Sequence, residues 1–513
     1  MANVEFNSPR FVVPPAGVID AQATVMFRPT PAWKGEFMFD WMRTGSGTNL
    51  GQTSLAGDVD YQTILGTYNN NTVASPFVGD TRDTNRNGVK DLYEKLINEY
   101  RKFTSLNRLD ASGASIDYLE PKLSIYKNEN ENVDAVAILQ LQIEVIVAPE
   151  ELILEFENEF FDITVFTGAA PVVPSLLATP ATNVPATNVP ARPEDRMKQL
   201  QITKTVTGAS TFNTMDIQIK CKKTFATAYK EIKAYTIMAH PDPANTSKVR
   251  KLAGVLKVLP NDASKRKIKK IVLVNVITDI DSIPTTKEEG FLVAGATETG
   301  QKTIIRKYLR QSLIDPVFSV ETLDLSTITI IRDDFNSKFV VGGRLKCYHL
   351  HGATVPRGWK DLDDYLYTKL KAKAGVGNKY DNYMRVFYMP QGGFYMDANN
   401  TQGPVSGSLG GFTSGNEPKN IVMLNGADLT SSAHEVYHSL KLPHTWESKN
   451  HINPIYNSET NPQRNGKHSF KEKTTRNLMD YGPNSAQYFL YHWQCVVANS
   501  KATAEPAHYI PAP

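Results

Sequence analysis

The chain has 513 residues, of which 41% are hydrophobic and 21% charged, and its formal net charge is +3. That length exceeds what one core supports and points to roughly three or four domains, while the near-neutral balance gives no global pull towards nucleic acid or an acidic membrane. Cys221, Cys347 and Cys495 are odd in number and widely spaced, which excludes a disulfide framework and a cysteine zinc site.

Residues Met1 to Val18 carry prolines and polar residues but no basic segment leading into an apolar core, so no conventional signal peptide is expected, and no run reaches membrane-spanning length. Trp33 to Met42 alternates, with Phe37, Phe39 and Trp41 on one face, and predicts a half-buried strand. Asp83 to Glu94 places oxygen donors Asp83, Asn85, Asn87, Asp91 and Glu94 at positions 1, 3, 5, 9 and 12 of a calcium loop, with Gly88 at position 6 and the Val89 carbonyl at 7. Lys90 at position 8 and the two asparagines depart from that pattern, and an Asn/Gly turn entering a helix at Leu92 explains the same residues. Both readings stay open. Leu92 to Phe103 has amphipathic helical spacing, and Ser115 to Ala170 alternates as β-rich material.

The composition changes at 168–194, where Ala, Pro, Thr and Val dominate and Ala181-Thr182-Asn183-Val184-Pro185 is followed by the identical Ala186-Thr187-Asn188-Val189-Pro190. Such a repeat buries no core and reads as a linker or long loop. Strands are predicted at Thr214 to Lys220, Glu231 to Met238, Leu252 to Leu259 and Lys269 to Ile277, with an immunoglobulin-like sandwich over 195–283. The basic run Lys265 to Lys270 before the last of these is expected at a solvated sheet edge, where charge discourages edge-to-edge pairing. The remainder, 284–513, is mixed: helices at Thr303 to Leu313 and Trp359 to Ala374, strands at Tyr383 to Met389 and Asn420 to Leu424, and a glycine-rich stretch from Gly392 to Gly415 suited to a cleft rim. The predicted organisation is thus multidomain: a β-rich region (1–167), the linker (168–194), the sandwich (195–283) and an α+β domain (284–513).

The last domain carries His434-Glu435-Val436-Tyr437-His438, then His444, and much later Asn477-Leu478-Met479-Asp480-Tyr481. Histidines four apart on a helix lie one turn above each other, so both imidazoles can meet one metal ion, and the glutamate between them can take a proton from water. With ten histidines in 513 residues, an accidental His-Glu-x-x-His is about a one-per-cent event, and a third histidine six residues on cuts this roughly fiftyfold. The competing reading is a surface helix, Ser431 to Leu440, that happens to carry these residues. Asp428, Thr430, Ser431 and Ser432 are all candidate caps for that helix. His349 and His351 alternate on a predicted strand without a metal-binding partner, and His451, His468 and His492 follow the motif without assignable roles.

Over these fifty or so residues the chain resembles the metzincin clan of zinc endopeptidases, whose pattern is H-E-x-x-H-x-x-G-x-x-H followed by a methionine-containing turn. The resemblance implies a metzincin-like catalytic domain in which His434, His438 and His444 hold zinc, Glu435 activates water, Met479 floors the metal site and Tyr481 ligates zinc or stabilises the oxyanion. One position departs: Lys441 stands where the family has glycine, at a helix end that favours positive φ. More loosely, the order of modules, with Trp33-Lys34-Gly35-Glu36-Phe37 and Phe39-Asp40-Trp41, resembles cargo effectors of bacterial contractile injection systems. That resemblance implies a toxin exported without a signal peptide, with spike or tube proteins as partners beside a protein or peptide substrate; the other expectation is a cytoplasmic protein. The alternative function is a β-rich docking or adhesion protein whose zinc-stabilised C-terminal domain is not catalytic.

Overall fold

A computed structural model of the chain describes residues 23–43, 60–68, 76–109, 115–145, 149–166, 197–202, 211–239, 244, 248–280, 287–292, 297–350, 360–397, 410–413, 419–446, 467–481, 487–506 and 508–511. Residues 168–194, His351 and His451 lie outside them, as do 398–409 and 414–418 of the glycine-rich stretch. The chain divides into two compact units, but not at the expected boundaries. One unit takes 1–33, 39–60 and 97–262, and the other takes 34–38, 61–96 and 263–513.

The first unit is β-rich. Ala135–Val145 pairs antiparallel with Ala23–Pro29 on one side and with Thr211–Cys221 on the other, and Phe161–Phe166 completes a four-stranded sheet. Period-2 alternation explains the face these strands bury: Ala137, Leu139, Leu141 and Ile143 from one, Met215, Ile217 and Ile219 from its neighbour. A six-stranded sheet runs in the order Met197–Ile202, Glu151–Glu157, Lys230–Ala239, Lys248–Val258, Lys122–Ser124, Met38–Asp40. The sheets approach closely at Gly254, where an added Cβ would lie 2.1 Å from the Val25 carbonyl oxygen. Beside it the Tyr118 hydroxyl, buried, donates to Val25 O and Val255 O at 3.2 and 2.9 Å.

Strands from both sides of 168–194 therefore share sheets, so 1–167 and 195–283 are not separate domains. Cross-strand pairing outweighs the composition break because each strand alone leaves half its hydrogen bonds and one apolar face unsatisfied. Two local expectations also fail. Trp33 to Met42 is strand only at Met38–Asp40, and Trp33, Phe37, Met38, Phe39 and Trp41 are all buried, which removes the half-buried alternation. The helix predicted from Leu92 to Phe103 stops at Ile97; Lys102–Leu109 pairs instead with Ser115–Leu119 as a two-stranded ribbon.

The second unit is a mixed α/β body around a seven-stranded sheet. Lys267–Thr278 is its centre, parallel to Ile314–Asp324 on one side and to Met384–Tyr388 on the other. Asn420–Met423 continues the parallel set, and Gly411–Thr413 adds an antiparallel strand beside it. The run Ile271 to Val274 is wholly buried, as a parallel strand covered on both faces requires. Leu362, Leu366 and Leu370 of the helix Lys360–Ala372, spaced by four, form one buried stripe in the cluster that contains Val272, Val274, Val276 and Val422. The basic run from Lys265 thus opens the central strand, not an edge. Arg266, 4% exposed, is held by a two-point ion pair to Glu505 at 2.7 and 3.0 Å, which lets its charge enter the fold.

Candidate metal centre

The strand Asn420–Met423 delivers the chain to the helix Ser431–Ser439 past the carboxyl end of the parallel sheet, where open α/β sheets place their ligands. Of the four candidate caps, Asp428 does the work: its Oδ1 accepts the backbone N–H groups of Thr430 and Ser431, both at 2.8 Å, and both hydroxyls as well. The helix is anchored from behind by Tyr437, fully buried, whose hydroxyl donates to the Tyr308 carbonyl at 2.7 Å and lies 3.0 Å from Ser312 Oγ. Burial pushes that phenol well above its ordinary pKa, so it stays a neutral donor. Ser432, two residues before the first ligand, is held by Gln301 of the helix Glu298–Gln311.

His434, His438 and His444 come together with one ligand atom from each lying within 4.8 Å of the others. His438 Nε2 and His444 Nε2 are 3.1 Å apart, near the roughly 3.3 Å that tetrahedral zinc with bonds of about 2.0–2.1 Å would set. The ring orientations follow from backbone carbonyls. His434 Nδ1–H donates to Leu478 O at 2.7 Å and His438 Nδ1–H donates to Leu442 O at 2.8 Å. A carbonyl only accepts, so in each neutral imidazole the proton sits on Nδ1 and Nε2 keeps its lone pair for a metal. Glu435, between the two on the same helix, is half-buried.

The helix ends in a positive-φ turn at Lys441, the position where the sequence resemblance would place glycine. Lys441 has φ +67°, Leu442 N–H donates to Tyr437 O at 3.0 Å and Lys441 N–H to His438 O at 2.9 Å, a Schellman closure. A lysine in that conformation costs about 1–2 kcal/mol, which a folded domain absorbs. Pro443 follows and ends any continuation. The loop then reaches the later segment: Thr445 N–H donates to Met479 O at 3.0 Å and Phe470 N–H to Thr445 O at 2.9 Å.

Met479 is fully buried, its N–H held by Asn477 Oδ1 at 2.9 Å. Asn477, also fully buried, donates to Gln494 Oε1 at 2.7 Å, so the turn that presents the Leu478 carbonyl is itself clamped. Asp480 accepts from the backbone of Lys473, Thr475 and Tyr481 and from the Thr475 hydroxyl. Burial raises its carboxyl above the ordinary range, and these hydrogen bonds pull the other way without cancelling it. Tyr481, 49% exposed, lies 5.8 Å from the His434 ring at 26° and 4.9 Å from His444. Thr445, Trp446, Asn477, Gln494 and the Leu442 and Leu478 carbonyls escaped the sequence reading. Trp446 and Asn477 stood two residues from predicted site residues, but spacing alone gives them no role.

Among the described residues the metal-ligand cluster includes none of the other histidines. His468 is buried with its ring 6.4 Å from Trp493, His492 starts the helix His492–Ser500, and His349 lies in the strand Arg344–Leu350. In the Asp83–Glu94 loop, Asp83 accepts the N–H groups of Asn87 and Gly88 at 3.2 and 2.8 Å, and Gly88 has φ +80°. Glu94 folds back onto it, accepting from Asn85 Nδ2 at 2.8 Å and Asn87 Nδ2 at 3.3 Å. Asp91 turns to Thr84 instead, accepting its N–H at 2.8 Å. Asp80, unassigned from sequence, caps the helix Asp91–Ile97 through Leu92 and Tyr93.

No protein-family model and no curated protein matches the chain. Among solved structures, domains D2 and D3 of the major pilin SpaD from Corynebacterium diphtheriae align over 32% of this chain and 57% of that one, at 12% identity and a TM-score of 0.17. The full-length SpaD pilin aligns at 12% identity and a TM-score of 0.18, with 32% of this chain and 38% of that one covered. A GH20 exo β-N-acetylglucosaminidase from Vibrio harveyi aligns over 61% of this chain and 36% of that one, at 8% identity and 0.13. Likeness this slight assigns neither fold nor function.

Proposed function

We propose that the second unit is a metzincin-like zinc endopeptidase. The observation that carries the reading is the pair of carbonyls, Leu478 O and Leu442 O, which hold His434 and His438 with their Nε2 lone pairs towards His444. Zinc held by the three histidines would supply a Lewis acid for the scissile carbonyl and make water more acidic. Glu435 takes the proton of the attacking water as general base and returns it to the leaving amine. The Tyr481 hydroxyl, on the exposed side of the ligands, stabilises the oxyanion, and buried Met479 underlies the site. A surface helix with accidental histidines would need no carbonyl behind each imidazole.

Glu435→Ala is expected to keep zinc and lose peptide hydrolysis by at least about 10²–10⁴-fold. Full retained activity would sink the mechanism. A zinc-loaded wild type with no activity on diverse unfolded proteins would favour the docking or adhesion reading instead.

At the Asp83–Glu94 loop we propose weak calcium binding. There Glu94 accepts amide N–H groups from Asn85 and Asn87, which gathers positions 3, 5 and 12 of the loop, and a cation has to displace those bonds.

A further inference from the structure

The first two ligands ride on a helix, but His444 sits on a loop, where its ring needs a separate constraint. We infer that Trp446 is a positioning residue that holds the His444 imidazole for the metal, an inference that rests on the zinc reading above. The indole lies flat on the imidazole, with ring centroids 4.3 Å apart and planes 8° from parallel. A flat stack blocks rotation about the His444 Cβ–Cγ bond, because turning drives the imidazole edge into the indole face. Nε2 is thereby kept turned towards His438 Nε2, 3.1 Å away.

The indole is itself fixed. Trp446 is 3% exposed, and its carbonyl accepts from Ser469 Oγ at 2.8 Å. The preceding residue, Thr445, is tied at both backbone groups, to Met479 and to Phe470. The same burial excludes a substrate-binding role, since the indole has almost no free face to offer. Tyr481, 49% exposed and 4.7 Å from the Trp446 ring, is the aromatic that faces outward.

The test uses the full chain stripped of metal, comparing Trp446→Phe, which keeps a flat ring, with Trp446→Leu, which fills the space without one. Zinc affinity is measured by competition with a chromophoric chelator, alongside the visible spectrum of the cobalt(II) form and the melting temperature of the apo protein. The Phe variant is expected to bind zinc as the wild type does. The Leu variant is expected to bind about 10–100-fold more weakly, the usual range for lost ligand support, with an altered cobalt spectrum and an apo melting temperature equal to that of the Phe variant. Equal zinc affinity in the two variants overturns the inference. So does a Leu-variant loss accompanied by earlier apo melting, which would mark a packing defect. A wild type that binds no zinc removes the zinc reading itself, and is seen before either variant is compared.

Discussion

The histidine centre and the Asp83–Glu94 loop are both metal motifs in sequence, yet their donor groups are held in different ways. Behind His434 and His438 stand backbone carbonyls that orient each ring without using the metal-facing nitrogen. In the loop, the groups at metal-facing positions hold one another: Glu94 takes the amides of Asn85 and Asn87, and Asp83 takes two backbone N–H groups. A cation entering there must displace contacts already made, whereas the histidines have their outer partners in place beforehand. The first arrangement predicts a tight, defined site; the second, a weak one.

The largest expected effect comes from removing a ligand. His438→Ala should abolish zinc retention and hydrolysis together, as read by metal analysis and peptide cleavage, while Asn87→Ala leaves both intact; zinc retained by the histidine variant would end the distinction. Asn477→Ala probes the outer support, since it removes the acceptor of Met479 N–H and of the buried Gln494 Nε2, while Gln494 Oε1 keeps the Tyr491 N–H. A stability loss of about 1–3 kcal/mol in chemical denaturation is expected, together with weaker zinc binding, because the same turn presents Leu478 O to His434. Unchanged zinc affinity in a folded variant would mean the carbonyl does not tune the site. Lys441→Gly should stabilise the protein by about 1–2 kcal/mol by relieving the left-handed lysine, with zinc affinity unchanged. The smallest effect belongs to the loop. With a dissociation constant of about 10⁻⁴–10⁻³ M, free calcium equal to that constant adds only about 0.4 kcal/mol of stability, and Glu94→Gln should remove it. No heat from millimolar calcium in calorimetry would dismiss the loop as a cation site.

Much of the centre was legible because its chemistry is local. Two histidines four apart and an acid between them fix their own relation on any helix, and even the awkward Lys441 could be located at the turn where φ is +67°. Ring orientation was not legible, since it depends on the Leu442 and Leu478 carbonyls and no side chain marks a carbonyl. In the fold, alternation and helical spacing found Asn420–Met423, Lys360–Ala372 and, in the first unit, Ala135–Val145, Thr211–Cys221 and Lys230–Ala239, because burial on one face writes a period into the sequence. Partnership left no such mark. The pairing of Ala135–Val145 with Thr211–Cys221 crosses 168–194, and the charged opening of Lys267–Thr278 resembled an edge because nothing near it announces Glu505.

The second unit gathers Lys34–Met38 and Tyr61–Leu96 with residues from Ala263 onward. Gln311, 1% exposed, donates to the Gly35 carbonyl at 2.9 Å, and Lys471 N–H reaches the Ile64 carbonyl at 2.8 Å, close to the loop that carries the third histidine. On the ribosome these early pieces emerge on the order of ten seconds or more before the strands they join, at about 5–20 residues per second. They must stay unclaimed by other partners through that interval. Assembly of the His434, His438 and His444 cluster is therefore a late event in the life of each molecule, and a nascent chain cut short before residue 434 lacks all three histidines.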